Sequence, residues 1–203
     1  MALRIPPGRT GRTWLLERLE IARRGADLLD RKRRALLREQ AQRRAEVDDA
    51  LCAWGEAMSE AQLWIGRATM VDGAGRLELL ARHALQQASL EVSWSNLMGA
   101  RLSSIAQLQV PEPPPLSALG ASSASVSAAR AYCRATRAAA RYAVAERAAA
   151  ELSAELGRAS RRLRALQTRW IPQHEAALAQ LELALDESQR EQSVRVRWAT
   201  RAV

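Results

Sequence analysis

The sequence predicts an all-α chain: a long antiparallel two-helix coiled-coil hairpin, broken in the middle by a short insertion that contains a small β-hairpin. Three observations carry that prediction. Apolar residues recur at 4,3 spacing over two long stretches. No proline lies between Pro7 and Pro111. The composition is rich in Ala and poor in aromatic residues, with no Phe, two Tyr and six Trp. Ala favours helix yet buries little area, so such a chain coils readily without a wide globular core.

The elements follow in order along one elongated domain. MALRIPPGRTGRT, residues 1–13, holds two Pro and two Gly and reads as an irregular arm. A long helix is expected over residues 14–71, its seam running Leu15, Leu19, Ala22, Ala26, Leu29, Arg33, Leu36, Gln40, Arg43, Val47, Ala50, Trp54, Met58. At 1.5 Å per residue, Trp14 to Met70 spans on the order of 85 Å. Gly25 weakens this helix by about 1 kcal/mol relative to Ala, and close approach of a neighbouring helix is the expected reason for it.

Residues 72–122 form the insertion and linker. DGAG marks a turn, LELLARHALQQ a short helical piece, and SLEVSWSNLMGARLSSI two strands. Leu90, Val92 and Trp94 alternate, and Asn96 to Gly99 supplies the reversal. VPEPPPL is a stiff linker, and GASSASVS leads into a helix start.

The second long helix is expected over residues 123–203. Ala145, Ala149, Leu152, Leu156, Ala159, Leu163, Leu166 and Trp170 form its seam, continued by His174, Leu178, Leu181 and Leu185. Two consecutive steps of four, Trp170 to His174 to Leu178, are a stutter that locally unwinds a supercoil. Pro172 removes a hydrogen bond to the residue 168 carbonyl and is expected to bend the helix.

Charge sharpens the picture. The net +9 is divided as +8 over residues 1–44, −5 over 45–122 and +6 over 123–203. A hairpin brings both basic ends to one tip, which suits polyanions or an acidic protein surface. Cys52 and Cys133 are too few for a disulfide framework or a zinc site. With residue 71 facing residue 123, Cys52 lies opposite about residue 142 and more than 10 Å from Cys133, so two free thiols are expected. No apolar run is long enough to span a membrane and no signal peptide is visible.

No chemistry-bearing constellation emerges. GRTGRT lacks the GK[ST] ending of a phosphate loop. His83 and His174 have no Cys or carboxylate at ligand spacing and are read as surface or seam residues. A non-catalytic chain without a cofactor or metal is expected.

Three segments together resemble the D subunit of the V-type or archaeal-type rotary ATPase, the central rotor shaft. The first is GRTGRTWLLERLEIARRGADLLDRKRRALLRE, where Ala22, Arg24, Gly25, Leu28, Leu29, Lys32, Arg33 and Leu36 match that family's A-x-R-G-x-x-L-L-x-x-K-R-x-x-L run. The second is RRLRALQTRWIPQHEAALAQLELALDESQRE, where Arg161, Arg162, Ala165, Leu166, Ile171, Pro172, Leu185, Glu187, Arg190 and Glu191 match. In the middle, Asn96, Met98 and Gly99 match the family's short hairpin. Departures are Arg164 in place of Asn, Gln167 and Gln189 in place of acidic residues, and a VRVRWATRAV tail where a Lys-rich one is usual.

The resemblance implies a shaft whose terminal tip enters a ring of catalytic and regulatory subunits. It further implies that the middle region meets a membrane-rotor adaptor and the small F-type partner of the stalk. Proton or sodium flow would turn the shaft, and ATP and ADP would bind the partners. The implied location is cytoplasmic, peripheral to the membrane and without direct insertion. Candidate ring and tip contacts are Arg9, Arg12, Trp14, Arg24, Arg33, Arg190, Arg195, Arg197 and Trp198, with Gly25 and Pro172 in structural roles. The rival reading is a basic coiled-coil protein that binds nucleic acid or organises filaments, and it gives no reason for the hairpin insertion or for both terminal motifs.

Overall fold

The computed structural model describes residues 5–83, 87–113, 115 and 120–201. The elements are α1 (Gly8–Asp72), α2 (Ala74–His83), β1 (Ser89–Leu97), β2 (Ala100–Gln109), α3 (Ser123–Ala165), a π-helical turn (Leu166–Trp170) and α4 (Ile171–Arg201). The helical reading of residues 84–86, the part of the proline linker at 114 and 116–119, and the side chain of His83 lie outside the described residues. The chain divides into two compact units, one built from the parts up to Ala35 and from Leu156 onward, the other from Leu36–Glu155.

Both seams read from the sequence are the buried faces. Every seam position from Leu15 to Met58 and from Ala145 to Leu185 is buried or half-buried, with Leu15, Leu36 and Leu152 fully enclosed. Four-three spacing places these residues on one stripe of a helix, and burying that stripe is what fixes the helices, because propensity alone contributes little.

The first helix starts earlier than expected, at Gly8 instead of Thr13 or Trp14. GRTGRT carries no apolar period, yet it is helical because Gly11 lets the chain before it fold back. Gly11 is buried, and a Cβ there would collide with the Pro6 carbonyl oxygen. Gly8 itself takes φ +76°, a conformation that favours glycine, at the point where the Pro6–Pro7 segment turns into the helix.

In the middle unit α1 and α3 run antiparallel. Gln40 Nε2 donates to Ser153 Oγ (2.9 Å), Trp54 stacks on Tyr142 (5.4 Å between centroids), and Arg134 pairs with Glu60 (2.5 Å). Ala61, Ala131 and Ala135 form a core of small side chains against which Met58 and Trp64 pack. Small residues at such a contact allow the helix axes to approach closely. This register bears out the expected facing of Cys52 and residue 142, and both thiols are free, Cys52 exposed and Cys133 half-buried.

The end of the α1/α3 pair is closed by Asp72. Its Oδ2 accepts from the Ser122 hydroxyl (2.6 Å), the Ser122 N–H (3.2 Å) and the Ser125 hydroxyl. Ser122 in turn caps α3, its Oγ accepting the Ser125 N–H (3.2 Å). The last residue of one helix thus holds the first turn of the other.

The insertion contains the predicted antiparallel hairpin. Leu97 pairs with Ala100, so Met98 and Gly99 form a two-residue loop, and both have positive φ (50° and 82°) as a type I′ turn requires. Asn96 Oδ1 accepts the Gly99 N–H (2.9 Å). Ala106 is the extra residue of a bulge opposite Glu91 and Val92. The hairpin is held to α3 through Glu151, whose Oε2 accepts the Ser103 N–H (3.0 Å) and whose Oε1 accepts from Arg147 (3.1 Å). Arg147 and Arg101 both lie over the Trp94 ring, at 5.6 and 5.2 Å.

The stutter near the C-terminus becomes a π-helical turn. Ile171 N–H bonds to the Leu166 carbonyl, five residues back. Pro172 cannot donate to the next carbonyl, and the wider turn takes up part of the surplus that two four-residue steps create. His174 sits one turn on, 3% exposed, stacked on Trp170 (3.6 Å) and donating from Nδ1 to its carbonyl (2.8 Å). It is a seam residue.

The Asp72 clamp carries a pH signature. Hydrogen bonds from the Ser122 and Ser125 hydroxyls hold the Asp72 carboxyl below the usual carboxylate range. A depressed folded pKa means stabilisation present above the unfolded value of about 3.9 and lost as pH falls through the folded pKa. Asp72→Asn is therefore expected to melt below wild type at neutral pH, with the gap closing in strong acid. Thermal melts from neutral pH down to about pH 2 check this, and a gap independent of pH would count against the clamp.

Candidate partner-contact surfaces

The sequence-predicted contact residues all fall in the unit made by the chain ends. Arg9 and Arg12 are exposed in the first turns of α1, and Arg12 Nε pairs with Glu182 (2.8 Å) on α4. Trp14 is half-buried under the Arg18 guanidinium, 4.4 Å from its ring centroid. Arg24 pairs with Glu20, one turn back. Arg33 is half-buried on the seam and bonds to Asp30 (2.9 Å), and these bonds, Arg33 foremost, hold the Asp30 carboxyl below its ordinary range. Arg190 and Arg195 pair loosely with Glu187 (3.7 Å) and Glu191 (3.6 Å). The Arg197 carbonyl accepts the Thr200 hydroxyl (3.1 Å), and Trp198 is 76% exposed.

These residues divide into two groups. Arg9, Arg12 and Trp14 share the start of α1, facing α4 through the Arg12–Glu182 pair. Arg190, Arg195, Arg197 and Trp198 lie on a part of α4 with no described helix beside it. Because Arg12 meets Glu182, α1 runs out about four residues further along α4. From Asp186 to Thr200 every side chain is exposed, including Val194, Val196 and Trp198. A lone helical stretch of this length, with two Val and a Trp side chain in water, gains little from its own propensity, so it has the character of a docking segment. Exposed ion pairs along it contribute at most about 1 kcal/mol each.

Gly25 does not do what spacing suggests. A Cβ at this position would meet nothing within 4 Å, so close helix approach is not its role. It borders instead a hollow of about 440 Å³ lined by Arg18, Ile21, Ala22, Leu166 and Trp170. The π-helical turn forms the other wall. Pro172, the second residue assigned a structural role, is exposed and lies two residues beyond the end of that turn.

Several features escaped the sequence. The Asp72–Ser122–Ser125 clamp joins residues 50 and more apart, and only the Ser-rich approach to α3 hinted at a cap. The Trp94–Arg147 contact likewise needs the tertiary fold. The π turn had a signal, the double step of four from Trp170 through His174 to Leu178, which indicates surplus residues but not how the backbone absorbs them.

Among the described residues no group of three His, Cys, Asp or Glu stands where it could hold a metal ion. No described helix is long and apolar enough to cross a membrane. The features that stand out are, in the unit made by the chain ends, an exposed helical end rich in Arg and apolar side chains and, in the middle unit, paired helices with a small hairpin held to α3. They define a long-helix protein with a small hairpin insertion. Residues 13–201 match the family model described as the D subunit of ATP synthase, and the chain belongs to that family. It is thus a stalk-type component of a rotary ATPase complex. No curated protein matches it closely enough to add to this.

The hollow makes a stability prediction. With open space beside it, Gly25→Ala is expected to stabilise the chain by up to about 1 kcal/mol through helix propensity. Urea melts of the two proteins measure this, and a destabilised variant would show that the space is not free.

Proposed function

We propose that this chain is the central rotor shaft of a V-type or archaeal-type ATPase, coupling proton- or sodium-driven rotation to ATP synthesis or hydrolysis in the surrounding ring. The observation that carries the reading is the bare end of α4, Asp186 to Thr200, in a chain whose family match spans residues 13–201. A shaft needs an end that enters a partner and a body that transmits twist. The first requirement fits an unpaired helix bearing Arg190, Arg195, Arg197 and Trp198 beside the α1 start with Arg9, Arg12 and Trp14. The second fits helices that bury a continuous seam.

In this reading the catalytic and regulatory ring subunits take the terminal tip, the small F-type stalk partner and the membrane-rotor adaptor take the middle region, and nucleotides bind the ring. Arg24 and Arg33 add positive charge along the part that turns within it. The complex sits on the cytoplasmic face of the membrane, and this chain reaches the bilayer only through partners. Coupling comes from asymmetry: a turning body that presents different side chains to each ring site forces those sites through different states.

The test is assembly. Expressed with tagged ring subunits, the chain should purify in a defined stoichiometric complex, and truncation after Asp186 should abolish it. If the chain instead purifies alone and binds DNA with a steep salt dependence, the nucleic-acid reading replaces this one. A second expectation concerns transmission. Leu29→Pro should break the α1 seam and uncouple hydrolysis from ion movement while leaving nucleotide affinity of the ring unchanged. Full coupling in that variant would contradict a shaft role for α1.

A further inference from the structure

Strand β1 is exposed almost throughout. Every residue from Ser89 to Asn96 faces solvent, and only Leu97, beside the turn, is half-buried. Among the described residues the sheet has two strands, so β1 pairs with β2 along one edge and its other edge is open.

The pleat fixes which backbone groups point to that open edge. In a two-residue hairpin the closing pair, Leu97 and Ala100, exchange hydrogen bonds, so the odd-numbered residues of β1 bond to β2 and the even-numbered ones face away. β2 shows the same alternation: Ser103, paired with Trp94, turns its N–H away from β1 and donates it to Glu151 on α3 (3.0 Å). The bulge near Val92 puts its extra residue in β2, so the alternation along β1 is unbroken. Leu90, Val92, Trp94 and Asn96 therefore present their N–H and C=O groups to solvent. Edge strands ordinarily carry Lys, Pro or a bulge that discourages further pairing. β1 has none of these, and its one charge is Glu91.

The side chains of β1 repeat about a centre. Outward from Val92 in SLEVSWS, each side offers a polar residue (Glu91, Ser93), then a large apolar one (Leu90, Trp94), then a serine (Ser89, Ser95). An antiparallel strand of the same sequence centred on Val92 sets Val92 against Val92, Leu90 against Trp94 and Glu91 against Ser93. This register also aligns the free donors of the even-numbered residues with acceptors. A centre at Glu91 would oppose two carboxylates, and one at Ser93 or Trp94 would set Leu90 or Val92 against Asn96.

We infer that the open edge of β1 receives a second copy of this chain, whose β1 joins it antiparallel about a twofold axis at Val92 to make a four-stranded sheet. The inference stands apart from the rotor-shaft reading. A two-stranded sheet is marginal by itself, and doubling it gives the open backbone groups partners. The contact is isologous and closes on itself, so it stops at two copies.

Sedimentation equilibrium of the full chain over a range of concentrations tests this, and a monomer–dimer equilibrium is expected. Val92→Pro deletes an outward N–H and none of the β1–β2 bonds, so it should weaken the dimer about tenfold or more and leave the helical circular dichroism of the chain unchanged. Two variants at Ser93 separate charge from structure. Ser93→Glu and Ser93→Lys both remove the hydroxyl bond to Ser104 (2.7 Å), yet the first opposes the second copy's Glu91 and the other attracts it. Ser93→Glu should weaken the dimer several-fold and Ser93→Lys should keep or tighten it, the reverse of what the net charge of +9 alone dictates. Should Val92→Pro misfold, the Ser93 pair decides. A wild-type chain that stays monomeric would leave the edge to another protein's strand, and a dimer that both Ser93 variants affect alike would be held elsewhere; either overturns the inference.

Discussion

The constraint on which the rest of this structure depends is the narrowness of its buried seam. Four-three spacing gives each long helix one stripe to bury, and that stripe is filled largely by Ala, with Leu at intervals. A seam of Ala61, Ala131 and Ala135 removes little apolar area from water per residue, so stability must accumulate along length instead of in a central core. Every other feature follows. Ends must be secured, because fraying starts there; hence the Asp72 clamp on Ser122 and Ser125 at one end of the pair. Exposed charge must be abundant, because most of each helix faces water.

The same narrowness leaves long faces of each helix exposed. In the unit made by the chain ends the seam is interrupted by the π turn before Pro172, the stacked Trp170 and His174, and the space beside Gly25. π turns inside α-helices often accompany functional sites, because an inserted residue redirects side chains that a regular helix would hold in line. Here the turn sets Leu166 and Trp170 as one wall of a hollow that Arg18, Ile21 and Gly25 also line.

Much of the fold was legible in the sequence, for a physical reason. Periodicity is a local property that survives without knowledge of the partner, so Leu15 to Met58 and Ala145 to Leu185 were identified as seams, and Asn96 to Gly99 as a turn, from spacing and residue type alone. Even the register followed, since a short insertion fixes which residues can face each other; Trp54 on Tyr142 stands two residues from the expected pairing of position 52 with 142. What was not legible depends on contacts far apart in the chain or on space. GRTGRT shows no period, and its helicity rests on Gly11 accommodating the Pro6 carbonyl. Gly25 invited a close-packing explanation, but sequence cannot distinguish a glycine pressed against a neighbour from one that opens a hollow. Of the candidate contact residues, the resemblance could nominate Arg190, Arg195, Arg197 and Trp198, but the sequence could not reveal that α1 ends before reaching them.

The central claim is that this chain turns relative to the ring. The most direct measurement attaches a bead at the Met98–Gly99 turn of the hairpin, in a complex immobilised through its ring, and follows it under a microscope while ATP is supplied. The account predicts stepwise rotation in a single direction that stops when ATP is withdrawn. A bead that stays fixed while the same complexes hydrolyse ATP would contradict it.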